Sequence, residues 1–479
     1  MIKGIYLLIV VNLSILPCFA QQNPKCNCSD NFEALYKSIE ENYVGFNEKV
    51  TALNRKSYQH IKDSIAVAVR SNRDYDCYLA LKKYVAFFND PHLIIGIMPP
   101  KDTVLRNHLK SIFQTFEKIS FNEDSLRKYL SSHQIDEIEG IWRQDGGNIE
   151  LAIFKNKSDN RDYVGITLKA DDIFWTPGQV KLEIKVHGKE YTSKFYKRDH
   201  YPEYTVVEIS KNKLVLEKIG IFSKVFPANS SFHATESLAQ ISYKKLSDSC
   251  SLLTIPTFLI SLKKTIDSVI KYNINEIESS KYLIIDLRNN GGGHAMSFSE
   301  IIPLIYTNPI RKDGLKVKAS KDNIDLYKET LSNDDFSSDD KIVFQKIIDK
   351  MEKNIGKVIQ VTKGGSDTFP EVKAYPKRIG IIINRQTVSA AELFLLQAKQ
   401  SSKVTIFGSN SRGALDYTEI GHIRILPCTY LAYTCPMGMP DHLVTPYIDN
   451  IGIAPDVPIN KGVEDWIGYV KKYLETEKK

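Results

Sequence analysis

Apolar residues recur at helical spacing early in the chain, through Phe32, Leu35, Ile39 and Tyr43 and again through Tyr78, Leu81, Tyr84 and Val85. That period predicts an N-terminal helical domain over residues 21–125. Pro91 closes its second helix at Phe87-Phe88-Asn89-Asp90-Pro91-His92, because proline cannot continue the helical hydrogen-bond ladder. Between residues 130 and 232 the period changes to two, as in Ile149 to Phe154 and Val180 to Val186. Turn clusters such as Asp145-Gly146-Gly147-Asn148 and Thr176-Pro177-Gly178 divide these runs, which predicts an inserted β-rich module, a barrel or a sandwich. Trp142 and Trp175 read as core aromatics rather than ligand-binding residues.

From residue 233 to 479 short apolar runs alternate with amphipathic stretches. Ser251 to Ile255, Tyr282 to Leu287 and Ile379 to Ile383 have the uninterrupted apolar character of strands buried on both faces. Helical patterns follow from Leu262 to Ile277 and from Ala390 to Gln400. The alternation predicts an α/β core built on a mainly parallel sheet. The charged, partly helical stretch 313–365 reads as an insertion or lid. No internal repeat or low-complexity tract is visible.

The chain begins with the short positive start Met1-Ile2-Lys3, an apolar stretch from Ile5 to Ile15, and Cys18-Phe19-Ala20 as a small-x-small site. This is the layout of a signal peptide over residues 1–20, and it implies export to a periplasm or the extracellular space. No later segment has the length and apolarity of a membrane span. Export permits disulfides. Cleavage would remove Cys18 and leave Cys26, Cys28, Cys77, Cys250, Cys428 and Cys435. Cys428 with Cys435, and Cys77 with Cys26 or Cys28, are the expected pairs, although spacing alone leaves the connectivity open. A zinc site is the rival for Cys26-x-Cys28, weakened by the lack of a second close pair. The formal charge of +7 is small for 479 residues, and basic residues are scattered, so nucleic acid is not an expected partner.

Two loops carry candidate chemistry. Asp286-Leu287-Arg288-Asn289-Asn290-Gly291-Gly292-Gly293 leaves a buried strand, and its glycines can expose backbone N–H groups to an anion. Neither phosphate-binding glycine spacing is met. The second, Asn384-Arg385-Gln386-Thr387-Val388-Ser389-Ala390-Ala391-Glu392, leaves another strand and opens a helix. Ser389 there is either an ordinary helix N-cap or a nucleophile beside free N–H groups. Open α/β sheets place ligands at the C-terminal strand ends that both loops leave.

With Ile451-Gly452-Ile453-Ala454-Pro455-Asp456, these two segments resemble, in order and spacing, three motifs of the tail-specific (C-terminal processing) and tricorn serine peptidase family. The resemblance covers roughly residues 251–459 and implies a crotonase-like core with Ser389 as nucleophile. It also implies an oxyanion site at Gly291, Gly292 and Ala390, and no metal or organic cofactor. Family members divide between a lysine base and a histidine base. The loop that would hold the lysine reads Gly408 to Ala414, without lysine, and arginine cannot replace it because it does not deprotonate. The tricorn-like design then implies His92 as base, with His294 and next His442 as rivals. Asp449 stands where such relatives usually carry the glutamate that assists the base. Asp286 and Asp456 are expected to hold loops.

The function so implied is an exported endopeptidase or carboxyl-terminal processing peptidase acting on protein or peptide substrates. The β-rich module occupies the interval where relatives often carry a PDZ domain. A ligand- or peptide-binding protein retaining the fold, and an esterase using the same serine, are the alternatives. Oligomeric state is not encoded in any feature named here.

Overall fold

In the computed structural model, the described residues are 27–476 apart from 133, 146, 170–172, 211, 228–239, 420, 422, 443–446, 461, 462 and 464. The expected signal segment and Cys26 lie outside them.

Helices Cys28–Asn42, Arg55–Ala68 and Asp74–Ala86 form as the apolar period requires. They bury Leu35, Ile39, Tyr78, Leu81 and Tyr84 in one aromatic-rich core with Phe88. The Asn27 carboxamide caps the first helix by accepting the Ser29 N–H at 3.0 Å. A Cys28–Cys77 disulfide ties the first of these helices to the third, as one of the two expected pairings had it. The other expected pair is not made: Cys428 is disulfide-bonded, but Cys435 is free and buried. Eight consecutive antiparallel strands then close into a barrel, Gly140–Gln144 completing the ring against Gly220–Phe226. Of the two β architectures expected, the barrel is the one formed. Every strand sends an apolar side chain into a single cluster, among them Trp142, Leu151, Leu182, Phe195, Val207, Leu214 and Phe222. Contributions from all eight strands can meet only inside the ring, so the interior is packed with side chains.

The core sheet has the order Ser242–Ser247, Cys250–Thr254, Tyr282–Asp286, Arg378–Ile383, Val404–Gly408, Val457–Pro458. Only the first pairing is antiparallel. Leu253, Ile285, Ile381 and Ile406 face helices Lys263–Tyr272 and Ala390–Ala398, while Leu252, Ile284, Ile382 and Phe407 face helix Trp466–Thr476. Burial on both faces explains the uninterrupted apolar runs. The expected helix from Leu262 to Ile277 is instead two, Lys263–Tyr272 and Ile274–Ser279. The stretch 313–365 contributes helices Lys321–Leu331 and Ser338–Glu352. It is fastened to the helical region, since the Asn42 side chain donates to Asp322 at 2.9 Å and Asn323 donates to the Asn42 carbonyl at 3.0 Å. No helix among the described residues is long and apolar enough to cross a membrane.

Candidate active site

Strands Tyr282–Asp286 and Arg378–Ile383 are parallel neighbours, so the two loops leaving their C-terminal ends run side by side. Polar side chains lock one loop to the other. Asn384 accepts the Asn289 N–H at 3.0 Å and returns its amide to the Asn289 side chain at 2.8 Å. The Val388 N–H donates to the Asn290 carbonyl at 3.0 Å, and the Thr387 hydroxyl to the Leu287 carbonyl at 2.9 Å. The Arg288 guanidinium clasps the buried Asp286 carboxylate, closing the base of the glycine loop. Asp456 receives the Ile406 N–H at 2.8 Å and so holds the neighbouring strand.

Ser389 precedes helix Ala390–Ala398 at φ 60° and ψ −119°, a backbone conformation that a non-glycine residue adopts at a cost of ~1–3 kcal/mol. Strain of this kind persists where surrounding contacts over-determine it. Here they are dense. The Ser389 N–H donates to Glu392 at 2.8 Å, and Gly292 abuts the serine so closely that a β-carbon on it would lie 2.8 Å from that of Ser389. Gly292 has φ +81°, which suits glycine on backbone grounds as well. The N-cap position and the chemically poised position are therefore the same residue.

His92 reaches this serine from the helical region, 297 positions earlier, with Nε2 at 3.2 Å from Ser389 Oγ. Its Nδ1 lies 2.6 Å from the Tyr417 carbonyl oxygen. A carbonyl can only accept, so the neutral ring carries its proton on Nδ1 and turns the Nε2 lone pair to the serine hydroxyl. The turn that presents the ring is held from behind. Asp90 accepts the His92 N–H at 2.8 Å and the Tyr43 hydroxyl at 2.7 Å, and Thr434 donates to the His92 carbonyl at 2.6 Å. Burial pushes the Asp90 carboxyl above the usual range, opposed by the Tyr43 and His92 hydrogen bonds.

Asp449 does not meet the imidazole, because Nδ1 is occupied by the Tyr417 carbonyl. Its Oδ1 instead accepts the N–H groups of Leu415 (2.8 Å) and Asp416 (3.0 Å), while Asp416 accepts those of Ile448 (3.2 Å) and Asp449 (2.9 Å). The two carboxylates thus bracket each other's loops immediately before Tyr417. Asp449 Oδ2 is buried without a partner. Desolvation, the largest influence, raises the Asp449 carboxyl to about 7, with the backbone donors opposing and Asp90 and Asp416 adding to the rise.

Of the expected oxyanion donors, Ala390 and Gly291 have N–H groups with no acceptor among the described residues. Gly292 differs: its N–H donates to the Asn290 side chain at 2.9 Å, a local turn that a sequence rich in asparagine favours. His294 is not at the serine; its Nδ1 accepts the Met296 N–H at 3.2 Å and its ring meets Phe336 edge-on. His442 is exposed beside Asp441. The Tyr417 carbonyl, Asp416 and Tyr43 were not anticipated. A backbone oxygen leaves no trace in residue identity, whereas Asp416, two residues past Ala414, was open to notice.

Residues 249–459 match the model of peptidase family S41. Over those residues the chain is similar to that family. Among solved structures, a mutant of CPAF resembles the chain at TM-score 0.50 and 13% identity, covering 95% of this chain and 98% of that one. The photosystem II D1 C-terminal processing protease gives TM-score 0.41 and 12% identity, covering 94% and 98%. The tricorn protease gives 0.40 and 12%, covering 94% of this chain and 36% of its own length. At 13% identity the CPAF likeness speaks for the fold alone. No protein of curated description matches the sequence. The S41 match spans both loops, Tyr417, Asp449 and the closing Ile451 to Asp456 segment, whereas His92 lies outside it.

Proposed function

We propose that the protein is an exported serine peptidase in which Ser389 and His92 form the catalytic pair. The observation that carries this reading is the 3.2 Å approach of His92 Nε2 to Ser389 Oγ, with the opposite ring nitrogen engaged by a carbonyl. His92 removes the hydroxyl proton as Oγ attacks the peptide carbonyl, forming a C–O bond. The Ala390 and Gly291 N–H groups receive the developing oxyanion; Gly292 supplies room rather than a donor. As the C–N bond breaks, the imidazolium returns its proton to the departing amine. Water, deprotonated by His92, then attacks the acyl carbonyl, and as the C–Oγ bond breaks the imidazolium returns that proton to Ser389 Oγ and the acid is released.

The third position of the unit is filled by the Tyr417 carbonyl, which fixes the tautomer but brings no full negative charge to the imidazolium. Asp449 acts on the base through the backbone, by holding residues 415 and 416. The substrates are protein or peptide chains, cleaved internally or near a carboxyl terminus. The Cys28–Cys77 disulfide supports an oxidising compartment. The test is cleavage of an unstructured protein by the mature enzyme beside Ser389→Ala and His92→Ala. Loss of at least ~10³-fold in both, with folding intact, is expected. Equal cleavage by Ser389→Ala would return the ligand-binding reading to first place.

A further inference from the structure

The Glu392 side chain is fully buried in the core and has no cationic partner among the described ion pairs. A carboxylate in such a place must be satisfied by donors or lose its charge. It has four. Oε2 accepts the N–H groups of Ser389 at 2.8 Å and Ala414 at 2.9 Å, and Oε1 accepts the Ser411 hydroxyl and the Gly413 N–H, each at 2.6 Å. Those bonds match the acceptor capacity of one ionised carboxylate. Its place in the first turn of helix Ala390–Ala398 adds the favourable field of the helix N-terminus.

A capping box needs only the first of these bonds. The other three come from a different loop, residues 411–414, which is the loop that leads to Tyr417. Ser411 passes the linkage on by accepting the Ile453 N–H at 2.7 Å, and the Arg412 N–H donates to the Thr387 carbonyl at 2.9 Å. One side chain therefore holds the backbone of the nucleophile and the start of the segment whose carbonyl sets the base. We infer that Glu392 is a positioning residue that fixes the distance and angle between Ser389 and His92, an inference that rests on the peptidase reading above.

Glutamine at this site has one acceptor oxygen instead of two. Its amide group can face Ser411, whose hydroxyl can accept, but it then opposes the Gly413 N–H; turned the other way it opposes two N–H groups. Glu392→Gln is thus expected to keep the Ser389 bond and loosen the 411–414 loop. Alanine releases both ends. Misplacement of reacting groups by about 1 Å costs ~10²-fold, so kcat should fall ~10²-fold in Glu392→Ala and ~10-fold in Glu392→Gln, with KM within about twofold of wild type in both.

The experiment is steady-state cleavage of a peptide substrate by the mature full chain carrying Glu392→Gln, Glu392→Ala or Ser389→Ala, with thermal midpoints recorded alongside. A graded kcat loss at constant KM supports the positioning role. Wild-type kcat in the folded glutamine variant overturns it, and does so even where the alanine variant fails to fold. A rise in KM with unchanged kcat also overturns it, because that would place Glu392 in substrate binding. The peptidase reading stands or falls separately on Ser389→Ala: full activity there ends both.

Discussion

The Tyr417 carbonyl oxygen sits 2.6 Å from Nδ1 of His92, in the position where a serine–histidine enzyme commonly carries a carboxylate. The two partners do the same geometric work and different electrostatic work. Either one selects the tautomer that leaves Nε2 free to accept. Only a carboxylate brings a full negative charge to the imidazolium formed during proton transfer. Asp449, the acid expected to supply that charge, is committed to the Leu415 and Asp416 N–H groups.

It follows that Asp449→Asn should cost far less than removal of a directly bonded acid. Asparagine retains an oxygen for the same two N–H groups, so a kcat loss of about tenfold or less is expected, against ~10⁴-fold where the acid touches the histidine. Steady-state rates at saturating peptide decide between them. A loss near 10⁴-fold would show that Asp449 meets the imidazole during turnover.

The same residue carries a stability signature. Its carboxyl titrates near 7 in the folded protein, above the ~3.9 of an unfolded chain. The folded state therefore binds the extra proton between those values, and stability falls as pH rises from about 4 to 7. After allowance for partial exposure the loss should be ~1–2 kcal/mol. Thermal unfolding of wild type and Asp449→Asn from pH 4 to pH 8 should show the variant gaining relative stability as pH rises. Parallel curves would contradict it.

Gly292→Ala combines a β-carbon 2.8 Å from that of Ser389 with a left-handed backbone. A stability loss of ~1–3 kcal/mol is expected. Displacement of the nucleophile should lower kcat by ~10²-fold. Denaturant midpoints and turnover measured on the same preparation separate the two effects.

The barrel also touches the nucleophile turn. Gln386 donates through its side chain to the Ile219 carbonyl at 2.9 Å, at the hairpin between the last two barrel strands. Removing one such bond typically costs ~1 kcal/mol, and Gln386→Ala should lower kcat a few-fold with KM little changed. An unchanged kcat would mean that the barrel does not steady this turn.

In the helical region, the Cys28–Cys77 disulfide closes a 49-residue separation. Its removal in Cys28→Ser/Cys77→Ser should cost ~2–4 kcal/mol, read as a lower thermal midpoint of the variant than of wild type without reductant.

Much of this site was legible because its signals are local. Ser389 between a buried strand and a run of small residues, and Gly291 to Gly293 after another strand, each announce a special backbone within ten positions. His92 was expected as base from the tricorn-like resemblance and the missing lysine at Ala414, and its Nε2 lies 3.2 Å from Ser389 Oγ. What escaped is non-local or carried by the backbone. Strand alternation disclosed the barrel strands, but its closure depends on Gly140–Gln144 meeting Gly220–Phe226 across the whole module. Cys428 and Cys435 are near in sequence and yet unpaired with each other: Cys428 is bonded elsewhere, and Cys435 is free and buried. Asp449, expected to assist the base directly, instead accepts the Leu415 and Asp416 N–H groups, and the Tyr417 carbonyl meets Nδ1.

The most direct measurement is covalent labelling by a serine-reactive phosphonate, followed by intact mass and peptide mapping in wild type, Ser389→Ala and His92→Ala. One label per chain on Ser389 is expected in wild type, none in Ser389→Ala, and labelling slowed by at least ~10³-fold in His92→Ala. Equal labelling of Ser389→Ala, or an undiminished rate in His92→Ala, would contradict the serine–histidine assignment.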